Sequence, residues 1–399
     1  MNILFIGGDG DKPNANSVCV NNMAREMMVR GHKVWILSMG DEPGQIPDTY
    51  YGKLVVRAAN NQKLLMRLWM KLVKTIRHLM ILPVYPDVAP LRSRKVARKA
   101  DDLVRKNDIS LVVTIFNDYE NIYAGLRLKE KYCDKIRVVS YHLDLRTASA
   151  NPSAWIRKIV FRNTLASLRK ENKLVDKMLI PYSGKTDIEK IDGLDKNKIQ
   201  YVGFPVFIGE YEFEKCELPF EKDAINITYI GTLSSDNRNP SYILPLLEQA
   251  ANILNRKVIV HFWGTLDGVE ATLRNSKNAV YHGMIANRYA RYLMDNSDFL
   301  LNIGNAISYS MLPSKVFGMF ATGKPIINVI THPQDATLPY FERYNYSVDV
   351  KEYQQTQADA ALLAEGITTM LKSPLKDSEG LFDDFKPEKI CEIILDEKV

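Results

Sequence analysis

At 399 residues the chain is long enough for two domains with separate cores, and its 46% hydrophobic and 25% charged residues are those of an ordinary globular protein. Four scattered cysteines, Cys19, Cys133, Cys216 and Cys391, argue against a disulfide framework or a zinc site. The net charge of +6 is uneven: 35 Lys and Arg face 21 Asp and Glu up to Pro205, and 18 face 26 from Val206 onward, so the two halves are expected to meet different partners.

The opening MNILFIGGDG has no basic segment ahead of an apolar core, so a secretory signal is not expected, and Asn2 to Ile6 reads as a buried first strand. A helix over Ser17 to Arg30, closed by Gly31, follows it, and KVWILS is the next strand. No run of 18 uncharged apolar residues exists, so no spanning helix is expected.

The stretch KLLMRLWMKLVKTIRHLMIL, from Lys63 to Leu82, carries five basic residues and no acid. Lys63, Arg67, Lys71, Lys74 and Arg77 alternate there with large apolar residues and Trp69. From Ala58 to Ala100 ten basic residues face one acid, Asp87. A second such stretch runs from Ala154 to Lys170 and includes Trp155, Arg157 and Lys158. Cationic amphipathic helices with tryptophan suit an anionic membrane surface. Core helices with basic outer faces are the plainer account. Nucleic acid ranks below both, because no reading motif accompanies the charge.

ISLVVTIF, IRVVSY, KMLI and KIQYVG complete the strands of the front half. IRVVSY runs into His142, with Asp144 two residues on, at a strand's carboxyl edge. A histidine there is a candidate base near neutral pH, with Asp144 to orient it or act itself, or it is a hydrogen-bonded structural group. Asp9 and Asp118 are weaker candidates.

Residues 206–223 are acidic and aperiodic and read as a linker. Strands then resume with INITYIG, KVIVHFWG, NAVYHG, DFLLNIG and PIINVI. Strands alternating with helices imply parallel sheets, so the expected class is α/β with two Rossmann-like, doubly wound domains: 1–205, then 224–380 after the linker, then a terminal segment 381–399. Several strands run straight into glycine, at Gly7-Gly8, Gly231, Gly264, Gly283 and Gly304. Each permits a tight turn, and each also lets backbone approach a ligand at the carboxyl edge, where such sheets bind.

MLPSKVFGMFATGKPII, Met311 to Ile327, predicts a short helix from Lys315 to about Thr322, with Ser314 as its N-cap and Gly323 and Pro325 ending it. Lysine opposes the dipole at a helix N-terminus and makes sense there beside a bound anion, such as a diphosphate held by the amides near Ser314 and by Lys315. A solvated lysine on an ordinary capped helix is the alternative. Arg238, in the loop after INITYIG, is a second candidate phosphate ligand.

These motifs together resemble the GT-B fold glycosyltransferases, most of all the bacterial family-4 group, over nearly the whole chain. The resemblance rests on IGGDGDKPNANSVCVNNMAREMMVRGHKV, YIGTLSSDNRN, VYHGMI and LPSKVFGMFATGKPII. It implies that Lys315 and the loop of Arg238, starting at Gly231 and Thr232, contact the donor diphosphate. It implies a base contact from the region of Gly283 and Met284. The loop through Tyr309, Ser310, Met311 and Leu312 up to Ser314 is expected at the sugar and phosphates. The glycine loop from Gly8 to Asn16 is expected to face the donor from the front domain, and His142 to contact the sugar.

The family's two glutamates fall at Ser310 and Gly318, and its Gly-Arg pair at Gly231-Thr232, so carboxylate binding of ribose and a retaining mechanism are not implied. The resemblance implies a nucleotide-diphosphate sugar donor, no metal or other cofactor, and a lipid-linked saccharide or glycolipid acceptor of surface polysaccharide assembly. The expected location is cytoplasmic, peripheral at the inner membrane face, with the segment from Phe385 to Leu395 packing back on the front domain. A 2-epimerase of the same fold and a non-catalytic nucleotide-sugar-binding protein are the other classes.

Overall fold

The computed structural model describes residues 1–8, 15–38, 53–55, 85–116, 118–143, 154–207 and 214–396. Two compact units divide it: Met1–Pro205 with Asp384–Val399, and Val206–Asp383.

The first unit contains β1 (Asn2–Ile6), α1 (Ala15–Val29), β2 (Lys33–Ser38), β3 (Lys53–Val55), α2 (Pro90–Asn107), β4 (Leu111–Phe116), α3 (Tyr119–Tyr132), β5 (Arg137–His142), α4 (Ala154–Leu174), β6 (Lys177–Pro181), α5 (Lys185–Glu189) and β7 (Ile199–Val202). Its parallel sheet runs β3-β2-β1-β4-β5-β6-β7. The second unit follows with β8 (Ile225–Ile230), β9 (Leu233–Ser234), α6 (Ile243–Leu254), β10 (Val258–Trp263), β11 (Leu266–Asp267), α7 (Glu270–Asn275), β12 (Ala279–Tyr281), α8 (Asn287–Asn296), β13 (Phe299–Ile303), α9 (Lys315–Phe320), β14 (Ile326–Ile330), α10 (Leu338–Tyr344), β15 (Ser347–Lys351) and α11 (Asp359–Leu371). Its parallel sheet runs β12-β10-β8-β13-β14-β15.

Both sheets are doubly wound. Strand order reverses between β1 and β4 in the first and between β8 and β13 in the second, which opens a crevice beyond the carboxyl ends at each point. The central strands are buried along nearly their whole length, as parallel strands covered on both faces must be. Burying each Leu, Ile or Val there stabilises the fold by about 1.5–3 kcal/mol.

The terminal helix α12 (Pro387–Leu395) belongs to the first unit. Arg137 Nη2 donates to Ile394 O at 2.8 Å, and Lys177 reaches Ile393 O and Asp396, so two cations meet the negative end of the helix. Cys391 is buried, with its Sγ 3.6 Å from Met23 O on α1.

The described part of the expected linker is docked rather than free. Phe220 packs edge-on against His261 and Trp263, and Asn226 brackets Glu221 through both its N–H and its C=O. The segment's anchors are one aromatic ring and one backbone pair, which leave no periodic pattern in the sequence.

Candidate functional site

The switch crevice of the second unit lies beyond β8 and β13. β8 runs into Gly231 and β13 into Gly304-Asn305. Side chains are barred at this edge: a Cβ on Gly264 would stand 2.0 Å from Gly231 O, and one on Gly304 2.6 Å from the Asp335 carboxylate. The loop after β8 is tied to the loop after β13. Ala306 N donates to Asn237 O at 2.9 Å and Ile307 N to Asn237 Oδ1 at 3.0 Å. Arg238 Nε donates to the Oδ1 of buried Asn305 at 2.8 Å.

Lys315 opens α9 and reaches into the same place. Its Nζ is shut off from solvent and has no hydrogen-bond partner among the described residues. It stands 4.3 Å from the centre of the Tyr229 ring, and a Cβ on Gly231 would be 3.7 Å from it. Burial, and behind it the charge of Arg238, hold the ammonium well below the ordinary lysine range. A ring face returns about 0.5–2 kcal/mol to a cation, less than the several kcal/mol that leaving water costs it. The Tyr229 hydroxyl donates to Thr232 O at 2.9 Å and also meets Arg238, while burial raises its pKa. Two cations therefore stand at the crevice with no carboxylate bonded to either among the described residues.

Helix α9 holds Lys315 in place through its apolar face. Val316, Phe317, Met319 and Phe320 are buried, and Phe317 and Phe320 pack on Phe382 with ring centres 5.6 and 4.9 Å away. The helix is shorter than expected, ending at Phe320, and Ser314 is no cap: its backbone is right-handed helical and its side chain makes no capping bond. Six residues build too little dipole for an anion site, so the positive charge here comes from the two side chains. Leu312 is buried, whereas Ser310 and Met311 are exposed. Tyr309 stacks on His332 at 3.6 Å and 12°. Around Gly318 a Cβ would meet nothing within 4 Å, so the position of the family's second glutamate is open space.

At the other side of β8, Gly283 follows β12 with φ +81, and Met284 is 63% exposed. Beneath them lies a neutral histidine chain. Asn226 Oδ1 accepts from Glu221 N–H, so it must also accept from His261 Nε2, 3.1 Å away. His261 Nδ1 then accepts from His282 Nε2 at 3.0 Å. Burial pushes His261 down to about 4 and His282 below its ordinary value. Trp263 stacks on His282 at 4.6 Å.

In the first unit Gly8 is buried and Asn16 half-buried on α1. His142 ends β5 but is only 2% exposed, with its ring stacked on Phe116 and its Nε2 2.7 Å from the buried Glu171 carboxylate. A base must reach its substrate's proton. Here the ring is closed off and its Nε2 engaged, which is the structural alternative. Glu171 lies on α4, where no sequence spacing tied it to His142. Asp118 is exposed, and Asp9 and Asp144 lie outside the described residues.

Lys63, Arg67, Trp69, Lys71, Lys74 and Arg77 also lie outside the described residues, as do the side chains of Trp155 and Arg157. Lys158 is exposed on α4, next to Phe161 at 56% exposure. On α2 a stripe of Ser93, Val96, Ala100 and Val104 is buried, while Arg92, Arg94, Lys95, Arg98 and Lys99 face outward with Leu91, which is 81% exposed.

Two tandem doubly wound units, each a parallel sheet with flanking helices, are the architecture of the GT-B class of fold. The solved structures similar to this chain have that fold. WaaG, a glycosyltransferase involved in lipopolysaccharide biosynthesis, superposes with a TM-score of 0.57 at 12% identity, over 98% of this chain and 99% of its own. The UDP-GlcNAc 2-epimerase of Methanocaldococcus jannaschii gives 0.56 at 11% identity, over 99% of both chains. Anabaena Alr3699/HepE, solved with UDP and glucose, gives 0.55 at 12% identity, over 99% of this chain and 96% of its own. At these identities the likeness is one of fold. No protein-family model matches the chain, and no curated protein matches it.

Proposed function

We propose that the protein is a glycosyltransferase that takes a sugar from a nucleoside-diphosphate donor bound at the second unit's switch crevice. The observation that carries this reading is Lys315: a buried amine with no partner, beside Arg238, where such sheets bind ligands. In the transfer the acceptor oxygen bonds to the sugar's anomeric carbon as the bond from that carbon to the phosphate oxygen breaks. The electron pair leaves with the diphosphate, which Lys315 and Arg238 stabilise. The acceptor's proton is given up to the released phosphate or to water. No metal takes part in this scheme. Gly283 and Met284 are proposed to contact the base, and Tyr309 to Met311 the sugar and phosphates.

The acceptor is proposed to be a lipid-linked saccharide or glycolipid presented at the inner face of an anionic membrane. The exposed cations of α2 and α4, with Leu91 and Phe161 among them, support a membrane-surface face on the first unit. The fold likeness to a UDP-GlcNAc 2-epimerase favours a second reading, an epimerase acting on a free nucleotide sugar. Calorimetry with a panel of nucleoside diphosphates tests the donor site. Product analysis after incubation with the matching nucleotide sugar separates the two reactions: transfer gives a glycosylated lipid acceptor, and epimerisation gives a new sugar without one.

A further inference from the structure

This inference rests on the donor-site reading and concerns what surrounds its cations. Arg238 Nε donates to Asn305 Oδ1 at 2.8 Å, and an arginine can only donate, so the amide's carbonyl side must face it. Asn305 is 3% exposed. The same Oδ1 accepts from Asn237 Nδ2 at 3.3 Å, and that nitrogen also donates to Ser308 Oγ at 3.3 Å. Asn237 Oδ1 is held in turn by Ile307 N–H at 3.0 Å. The other group that meets the guanidinium is the Tyr229 hydroxyl. Every partner of Arg238 among the described residues is therefore uncharged.

An aspartate at 305 has the same shape and would bond the guanidinium more strongly, because charge-assisted pairs exceed neutral ones. It would also cancel the charge. The amide accepts the bond and leaves the charge in place. The geometry points to Asn305, braced by Asn237, as a positioning residue for donor binding: it aims Arg238 across the switch crevice while keeping the charge available to a diphosphate. The clamp also joins the two loops on either side of the crevice, so the guanidinium's direction and the course of residues 305–308 are set together.

The test compares Asn305→Asp, Asn305→Ser and Asn305→Ala in the full chain. Dissociation constants are measured by calorimetry for whichever of UDP, GDP, ADP and dTDP binds the unaltered protein most tightly, with thermal melting as a check on folding. Asp keeps the shape of Asn and differs from it by the charge and by loss of the long contact from Asn305 Nδ2 to Met311 O, 3.4 Å in the structure, a contact that Ser and Ala lose as well. The expected result is at least a tenfold weakening in Asn305→Asp at an unlowered melting temperature, with Asn305→Ser weakened less.

A role in packing alone predicts the reverse order, with Asp close to the unaltered protein and Ser worse, and that order overturns the inference. If Asn305→Asp does not fold, Ser and Ala decide: both are too short to carry an acceptor to Arg238 and should bind more weakly than the unaltered protein, and unchanged affinities overturn the inference. Absence of binding in the unaltered protein overturns the donor-site reading itself. Binding as tight in Asn305→Asp as in the unaltered protein overturns only the clamp.

Discussion

Lys315 Nζ lies 4.3 Å from the centre of the Tyr229 ring and has no hydrogen-bond acceptor among the described residues. Tyr229 belongs to the first strand of the second unit's sheet, and Lys315 to the helix after its fourth. The contact spans the point where strand order reverses. A protein selected for stability alone has no use for a buried amine there.

Lys315→Met should therefore separate stability from binding. Removing a buried, unpaired charge in favour of an apolar chain of similar length is expected to stabilise the protein by about 1–2 kcal/mol. Chemical denaturation of the two proteins checks the sign. The same variant should bind nucleoside diphosphates more weakly by tenfold or more. A destabilised variant with normal binding would point to a packing role instead.

The lysine also gives stability a definite dependence on alkaline pH. Its folded-state pKa is depressed, while the unfolded chain has the ordinary value of about 10.4. Between those values the unfolded state binds more protons, so stability contributed by this group rises with pH across that window. Diphosphate binding favours the charged amine and runs the other way: affinity is highest below the depressed value and falls as pH rises through it. Binding above that value should take up a proton. Calorimetry in buffers of different ionisation enthalpy counts it, and Lys315→Arg should bind without it.

On the acid side the neutral histidine chain sets the trend. His261 is held at about 4 by burial and titrates near 6.5 when unfolded. Its contribution to stability is whole above the unfolded value and is lost as pH falls towards 4. His261→Gln should flatten the melting-temperature profile between those two values. An unchanged profile would remove His261 as its source.

The His142–Glu171 pair is expected to matter for folding. Glu171→Gln leaves the imidazole with a weaker buried partner and should lower stability by about 1–3 kcal/mol. Because the pair lies in the first unit, diphosphate affinity in the second should stay within twofold. A large loss of affinity would tie the pair to the donor.

Much of the fold is legible in the sequence because the strands are continuous apolar runs. NILFI, INITYI and FLLNI stand out between helix-length polar segments. β15 is not legible: its SVDVK buries only alternate residues at the sheet's edge and resembles a loop. Lys315 was visible through its conflict with a helix N-terminus. Its actual isolation comes from Tyr229 and the sheet edge, which no local pattern shows. Asn237 and Asn305 carry no local signal of a role, and only the crossing of two loops reveals that they hold Arg238. His142 was legible as a strand-end histidine, but the carboxylate that engages it sits on α4 and closes it off.

The most direct measurement is calorimetric titration of UDP, GDP, ADP and dTDP into the full chain and into Lys315→Ala. The account predicts saturable one-to-one binding of at least one of them to the unaltered protein, weakened tenfold or more by the substitution. No binding by any of the four, or equal affinity in the two proteins, would contradict it.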